Sequence, residues 1–485
     1  METKNDHVIT ISTSDMSKTN GGKFQGFGTS LCWWAHRVGY SNSLAKEAAR
    51  LFYSPEGLGF NIMRYNIGGG DDPTHNHIER TDSDIPGWLK KNKANGKYEY
   101  DYNADKNQIN VLKACYKAAG KDAYVEVFSN SPPYFMTESG CSSGAAKASE
   151  NNLKPKYYGN FAKYLATVSS YISKNLNIKV SSVSPMNEPD TEYWQAYSPK
   201  QEGCHVDPGK DQSEILVETA AAFSAARLPV EIVGSDETST DKALSSYSAY
   251  TSEARSILDR VSTHTYGTEK IEELGKLRKK KGFNLWMSEV DSGDISGDGA
   301  GEMGAALWIS EKIISDINAL SPSAWVMWQV IGQYISTEGR NGNKDAGMPD
   351  TCGGFWGAAV ADLVMESVIL TQKYYAIGQF SRYIRPGSTI VTTGDPTAIA
   401  AYDSAGKKPI IVSVNSKKAD KTFRFDLKGF TPKGSAKAIR TSGSLSEGES
   451  WKIVDAPLLS PDGFDYVMKG NSVTTFILED VAAKK

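Results

Sequence analysis

Cysteine and histidine are scarce, five and six in 485 residues, and neither is grouped as a metal or redox centre requires. Cys32, Cys115, Cys141, Cys204 and Cys352 include no C-x-x-C pair, which argues against a zinc ribbon or a dithiol motif. Their odd number leaves at least one thiol free, although Cys141 and Cys204, both in loops, permit a disulfide in an exported chain. His75-x-His77 stands alone in a polar loop and no H-E-x-x-H occurs. Asp291, Asp294 and Asp298-Gly299 imitate a calcium loop only loosely, because Ala305 stands where an EF-hand places its bidentate glutamate. Gly68-Gly69-Gly70 is followed by no Gly-Lys-Ser/Thr, which excludes a P-loop. We expect no metal and no cofactor. No apolar run approaches the roughly 20 residues that span a bilayer, and the first eight residues are polar, without a signal-peptide core. Basic and acidic residues nearly balance, 54 against 57, so the chain carries no field to recruit nucleic acid or an anionic membrane. The expectation is a monomer that binds neither. It is either cytoplasmic or, the favoured alternative, a secreted mature form that has lost its export signal.

What is abundant is aromatic surface: 10 Trp and 24 Tyr, several beside Gly, Asn and Pro in expected loops. Flat rings with polar rims suit sugars, whose C–H faces are apolar and whose hydroxyls seek hydrogen bonds, although core packing accounts for most aromatics in any chain. From residue 24 to about 375, short β-type runs alternate with helical patterns, the mark of βα units around a parallel sheet. The strand candidates are 24–31, 61–67, 123–129, 180–185, 230–235, 260–266, 283–288 and 324–329. Between them lie apolar stripes such as Phe161, Leu165, Val168 and Ile172, or Met303, Leu307, Ile314 and Ile317. Eight such units favour a closed (β/α)₈ barrel over an open doubly wound sheet. After Arg385-Pro386-Gly387 the pattern turns to short strands with Gly, Lys and Asp turns. Residues 423–427 alternate strictly, as does much of 409–415, which predicts one buried and one wet face, and 473–478 reads as a closing strand. We therefore expect an α/β chain: a TIM barrel at 24–378, an antiparallel β-sandwich at 379–485, and an N-terminal segment, 1–23, lending a strand at 8–12 to the sandwich.

Catalytic groups of a barrel gather where its strands end, so acidic residues there come first. Val183-Ser184-Pro185-Met186-Asn187-Glu188-Pro189 closes the fourth strand with an amide, a carboxylate and a chain-stopping proline, and Asn284-Leu285-Trp286-Met287-Ser288-Glu289 closes the seventh with a second carboxylate. Any single glutamate is more often a solvated loop cap. A barrel, however, can set these two across one pocket, and a retaining glycosidase needs two carboxyls about 5–5.5 Å apart, one protonated and one ionised. Mutual repulsion and local burial can split their affinities for a proton accordingly.

Asn-Glu-Pro after one β-run and a glutamate ending a later one resemble the clan A glycoside hydrolases, and Arg64, Asn187 and His264-x-Tyr266 fit further positions of that pattern. The resemblance narrows to glycoside hydrolase family 30 over nearly the whole chain. It rests on Phe24-Gln25-Gly26-Phe27-Gly28, Asn61-Ile62-Met63-Arg64, Ser131-Pro132-Pro133-Tyr134-Phe135-Met136 and the stretch from Tyr374 to Gly387. Tyr193-Trp194 and Gln201-Glu202-Gly203-Cys204 look like the endo-β-1,6-galactanase group within it. The resemblance implies Glu188 as general acid/base and Glu289 as nucleophile, acting on β-1,6-galactan of the kind that branches from arabinogalactan, either internally or with release of short oligosaccharides. Glucosyl-specific members, β-1,6-glucanase or glucosylceramidase, and a non-catalytic carbohydrate-binding barrel are the alternatives.

The resemblance also implies that Asn187 bonds the sugar 2-hydroxyl and Asp71 binds hydroxyls on the nonreducing side, that Tyr266 donates to Glu289, and that Trp328 stacks beneath the sugar. Tyr134 stands where some glucosyl-specific members carry tryptophan. His264 is read as a hydrogen bonder behind the carboxylates, and Arg64 as either a companion of the nucleophile or an interior ion pair. Trp33, Trp34, Tyr193, Trp194 and Trp356 are loop aromatics that line further subsites or pack, and Glu202 either contacts a sugar hydroxyl or braces its loop.

Overall fold

The computed structural model describes residues 7–483 except 76, 81, 293, 294, 296, 341, 342 and 351–354, so that Cys352 and Asp294 lie outside the described residues. Eight parallel strands close into a barrel in chain order. They are Gly26–Ser30, Ile62–Asn66, Tyr124–Phe128, Val180–Ser184, Glu231–Ser239, Arg260–Gly267, Asn284–Glu289 and Ala324–Met327. All eight fall on the expected segments. The fifth runs four residues past its expected end, through register shifts at Ser235/Glu237 and Glu237/Ser239, where Ser235 and Asp236 both adopt positive φ. A bulge breaks the alternation on which strand reading depends.

The helices form where the apolar stripe predicts. Phe161, Leu165, Val168 and Ile172 are buried on Tyr158–Asn175, and Met303, Ile314 and Ile317 on Met303–Leu320, with Leu307 packed against the same core. At roughly 1.5–3 kcal/mol for each fully buried side chain, this tertiary burial outweighs the helices' intrinsic propensity. No helix among the described residues is long and apolar enough to cross a membrane.

The side domain pairs two sheets. Thr389–Val391, Ala398–Asp403, Lys408–Asn415, Ser472–Leu478, Ala436–Ser442 and Glu449–Val454 form an antiparallel six-stranded sheet in that spatial order. Facing it, Lys421–Lys428 lies between Gly463–Met468, antiparallel, and the N-terminal strand His7–Ser12, which pairs parallel. Phe423, Phe425 and Leu427 point inward to Ile9, Ile11, Phe464 and Phe476 while Arg424 and Asp426 point out, as their alternation predicts.

Two expectations need correction. Nearly all of Lys408–Asn415 is buried on both faces, because Ile411 joins the sandwich core while Ile410, Val412 and Val414 join the cluster containing the barrel helices. The boundary expected at 378/379 falls inside the helix Gln372–Ser381, whose Gln379 bonds Thr475 of the six-stranded sheet. A four-stranded sheet that the sequence did not suggest, Asn343–Ala346, Ile331–Arg340, Ala359–Asp362 and Ser367–Leu370, is inserted after the eighth barrel strand.

Candidate active site

A cavity of about 490 Å³ opens at the strand ends, with both Glu188 and Glu289 in its wall. Glu188 lies four residues beyond Val180–Ser184, in a turn enforced by Pro185 and Pro189. Its φ of +48° is a strained value for a side-chain-bearing residue, maintained by its N–H donating to Asp236 O (2.9 Å) and by its carbonyl accepting from Thr191 Oγ1 (2.7 Å) and Trp194 Nε1 (3.2 Å). Glu289 is the last residue of Asn284–Glu289, just after a register shift in the pairing with Arg260–Gly267. A carboxylate oxygen of each glutamate and a ring nitrogen of His264 lie within 4.8 Å of one another.

Beneath the pair the barrel interior holds charge instead of the usual branched apolar side chains. Arg64, fully buried, donates through Nη1 to Glu289 Oε2 (3.0 Å) and Ser288 O (3.1 Å), through Nη2 to Asp236 Oδ2 (2.5 Å) and through Nε to Glu126 Oε1 (3.1 Å). It thus meets both readings the sequence left open, as a companion of Glu289 and as an interior ion pair. Glu126 passes the contact on to Arg260, whose guanidinium lies 3.5 Å over the Trp286 ring. His264 is also fully buried, with Nδ1 2.9 Å from Glu188 and 3.6 Å from Glu289, and Nε2 3.3 Å from Asp236.

Burial opposes a charge on His264, but Glu289, Asp236 and Glu188 outweigh it and lift the imidazole to about 10, so it is cationic at neutral pH. Asp236 is held well below the usual carboxylate range: burial would raise it, and Arg64, His264 and the Ser288 hydroxyl (2.6 Å) prevail. Burial carries Glu289 up to about 7, with repulsion from Glu188 and Asp236 added, against the pull of His264 and Arg64. Glu126, Asp236, Glu188 and Glu289, together with the partly exposed Glu231 on Arg260, thus face three cations, Arg64, Arg260 and His264.

Around this centre the expected site residues divide. Asn187 is in the cavity wall, and its Oδ1 is buried without a hydrogen-bond partner among the described residues. The Tyr266 hydroxyl donates to Glu289 Oε1 (3.2 Å). Trp328 lines the cavity edge-on to Trp33 (5.0 Å), over which the Arg80 guanidinium lies at 4.1 Å. Trp194 and Trp356 also line it, and Gly203 packs so closely on the Trp194 ring that a Cβ would stand 2.2 Å from it.

Trp34 is a correction. It begins the helix Trp34–Val38, is fully buried edge-on against Phe52 (5.9 Å), and its indole donates to Ser30 O (2.8 Å), so it belongs to the core. Of the two readings left open for Glu202 the structure shows the second: buried, it accepts from Asn66 Nδ2 (3.1 Å) and Gly69 N (2.9 Å) and braces the loop after the second strand, with burial pushing it up to about 8. His264 contacts carboxylates, with no face toward a sugar. Asp71 stands outside the lining of this cavity, 2.7 Å from His77 Nδ1 and accepting from Ser142 N (3.1 Å), and Tyr134 likewise, its hydroxyl 3.4 Å from that of Tyr98. Cys141 and Cys204 are free thiols, so the disulfide that their loops permitted is not formed. Asp291 is ion-paired with buried Lys373 and accepts from Gly357 N (2.7 Å).

Sequence reading missed Asp236, Glu126 and Arg260. The last two carried a signal, a charge inside an apolar β-run, whereas Asp236 lay just beyond the point where the alternation of the fifth strand stops.

Comparison with known proteins points to a glycosidase. The model of O-glycosyl hydrolase family 30 matches residues 6–233. The chain is 29% identical over 491 residues to the endo-β-1,6-galactanase of Hypocrea rufa, a match covering 96% of this chain and 93% of that protein. It is 24% identical to the exo-β-1,6-galactobiohydrolase of Bifidobacterium longum subsp. longum, over 83% of this chain and 34% of that longer one. Among solved structures, a conserved exported protein from Bacteroides fragilis shares the fold with a TM-score of 0.77 at 18% identity, covering 97% of this chain and 100% of that one.

Proposed function

We propose that this glycosidase, which resembles glycoside hydrolase family 30, cleaves β-1,6-linked galactan by double displacement. Glu289 attacks the anomeric carbon while Glu188 protonates the departing oxygen. Glu188 then takes a proton from water, which releases the sugar from Glu289 with net retention. The observation that carries the mechanism is the approach of the two carboxylates to within 4.8 Å at the ends of the fourth and seventh strands. That suits direct attack; an inverting pair stands about 6.5–9.5 Å apart to admit a water. The substrate assignment is supported by two relatives whose names specify β-1,6-galactan chemistry. In this reading the free Oδ1 of Asn187 takes the sugar 2-hydroxyl, Tyr266 steadies the ionised nucleophile, and Trp328 and Trp33 offer the ring faces on which the sugar rests.

Incubation with β-1,6-galactan, β-1,6-glucan and a glucosyl lipid in parallel tests it. Release of β-1,6-galacto-oligosaccharides is expected, and their lengths over time separate internal cleavage from release at chain ends. Activity on the glucosyl substrates alone would overturn the substrate, and silence on all three would favour a carbohydrate-binding barrel without turnover.

A further inference from the structure

Glu188 meets the cavity through one oxygen. Oε1 is turned inward against Nδ1 of the fully buried His264 (2.9 Å). Oε2 accepts a hydrogen bond from the hydroxyl of Tyr193, a cavity-lining side chain 53% exposed. The oxygen that an incoming glycoside can reach is therefore already engaged by a phenol. We propose that Tyr193 is the positioning residue of the acid step: its hydroxyl holds Glu188 Oε2 toward the cavity and occupies the place of the leaving-group oxygen until substrate displaces it. This rests on the reading of Glu188 as the acid/base.

The local framework permits such a role. The backbone of Glu188 is fixed from Thr191, Trp194 and Asp236, so the freedom left is rotation of its carboxyl, which His264 and Tyr193 restrain from opposite sides. The Tyr193 ring leans edge-on against Trp194 at 4.4 Å, and because it is half in solvent it can turn aside without disturbing the loop. Burial and the neighbouring Glu188 push the Tyr193 phenol up, so it keeps its own proton throughout. The proton on Glu188 passes to the glycosidic oxygen as the C–O bond breaks, and the sugar departs as an alcohol. Tyr193 then returns as a donor to the ionised Glu188, which next draws a proton from water.

The test compares Tyr193→Phe with the unaltered full chain on two galactosyl substrates. One is a β-1,6-galacto-oligosaccharide, whose sugar leaving group needs protonation; the other is a dinitrophenyl β-galactoside, whose leaving group does not. Loss of one hydrogen bond to a carboxylate should lower kcat on the oligosaccharide roughly ten- to hundredfold, with its KM unchanged or lower, and leave the dinitrophenyl substrate within about twofold. Equal losses on both substrates, no loss on either, or a raised KM with kcat intact would each overturn the proposal. Glu188→Ala, run in parallel, should discriminate between the substrates more strongly still. If it does not, the assignment of Glu188 fails, a result separate from the behaviour of Tyr193.

Discussion

Replacing Arg64 by methionine removes a guanidinium that touches Glu289, Asp236 and Glu126 at once. The guanidinium is fully buried and makes four donor contacts of 2.5–3.1 Å, three of them to carboxylates that have no access to solvent or almost none. Breaking a buried ion pair by removing one partner costs about 3–5 kcal/mol, since the remaining charge stays desolvated. At roughly 2–4 °C per kcal/mol for a domain of 150–250 residues, Tm should fall on the order of 10 °C. Arg424→Met is the control, because its partners Asp426, Asp462 and Asp465 have side chains 33–80% exposed. Such a surface network contributes at most about 1 kcal/mol. The same variant tests the chemistry. Glu289 already stands at about 7 against the pull of Arg64, so losing that pull moves it further up. In the proposed mechanism Glu289 must be ionised to attack, hence activity is present above its folded pKa and lost as pH falls through it, and the acid limb of kcat/KM should move to higher pH. Calorimetry and a pH–rate profile read the two effects. If Arg64→Met melts within 2 °C of the Arg424→Met control, or keeps its acid limb in place, the barrel interior does not govern Glu289 as described.

Azide should separate the two glutamates by product configuration. Glu188→Ala, with its covalent intermediate intact, should give the β-galactosyl azide by a second displacement, and Glu289→Ala the α-azide by a single one; an exchange of these products in the NMR spectrum would reverse the roles. Glu202 binds its proton more tightly in the fold, at about 8 against the usual 4.5, so its contribution to stability is full below about pH 4.5 and is lost as pH rises through 8. Glu202→Gln should flatten the decline of Tm between pH 6 and 9, partly, since burial also raises Asp105 and Glu237 to about 7; an unchanged slope would mean that Glu202 is ionised in the fold. Trp34→Ala should cost about 3–5 kcal/mol in denaturant unfolding without raising the KM of the molecules that remain folded, while Trp328→Ala should raise KM with little loss of stability. The reverse pattern would return Trp34 to the cavity.

What the sequence revealed and what it concealed differ in range along the chain. Strand and helix periodicity is local, so eight β-runs and the stripes on Tyr158–Asn175 and Met303–Leu320 were legible, and the bulged fifth strand was legible only to where its alternation ends at Ser235. Glu188 and Glu289 were visible because a strand end and a proline mark them. Trp33 and Trp34 are neighbours of one residue type, and only the start of a helix at Trp34 turns one toward the cavity and the other toward Phe52. Glu202 reads the same whether its carboxylate meets a sugar hydroxyl or the Gly69 N–H. Least visible was the charge cluster, since Arg64, Glu126, Asp236 and Arg260 come from four strands and meet only when the barrel closes. That non-local cluster sets the surroundings of Glu289. The Asn187-Glu188-Pro189 motif marks a carboxylate just past a strand end, but what lifts Glu289 to about 7 is burial, with Glu188 and Asp236 adding and His264 and Arg64 opposing. The proton affinity of Glu289 is thus a property of the closed barrel, and substitutions at Arg64 or Asp236, both fully buried in its interior, should change it as surely as those in the cavity wall.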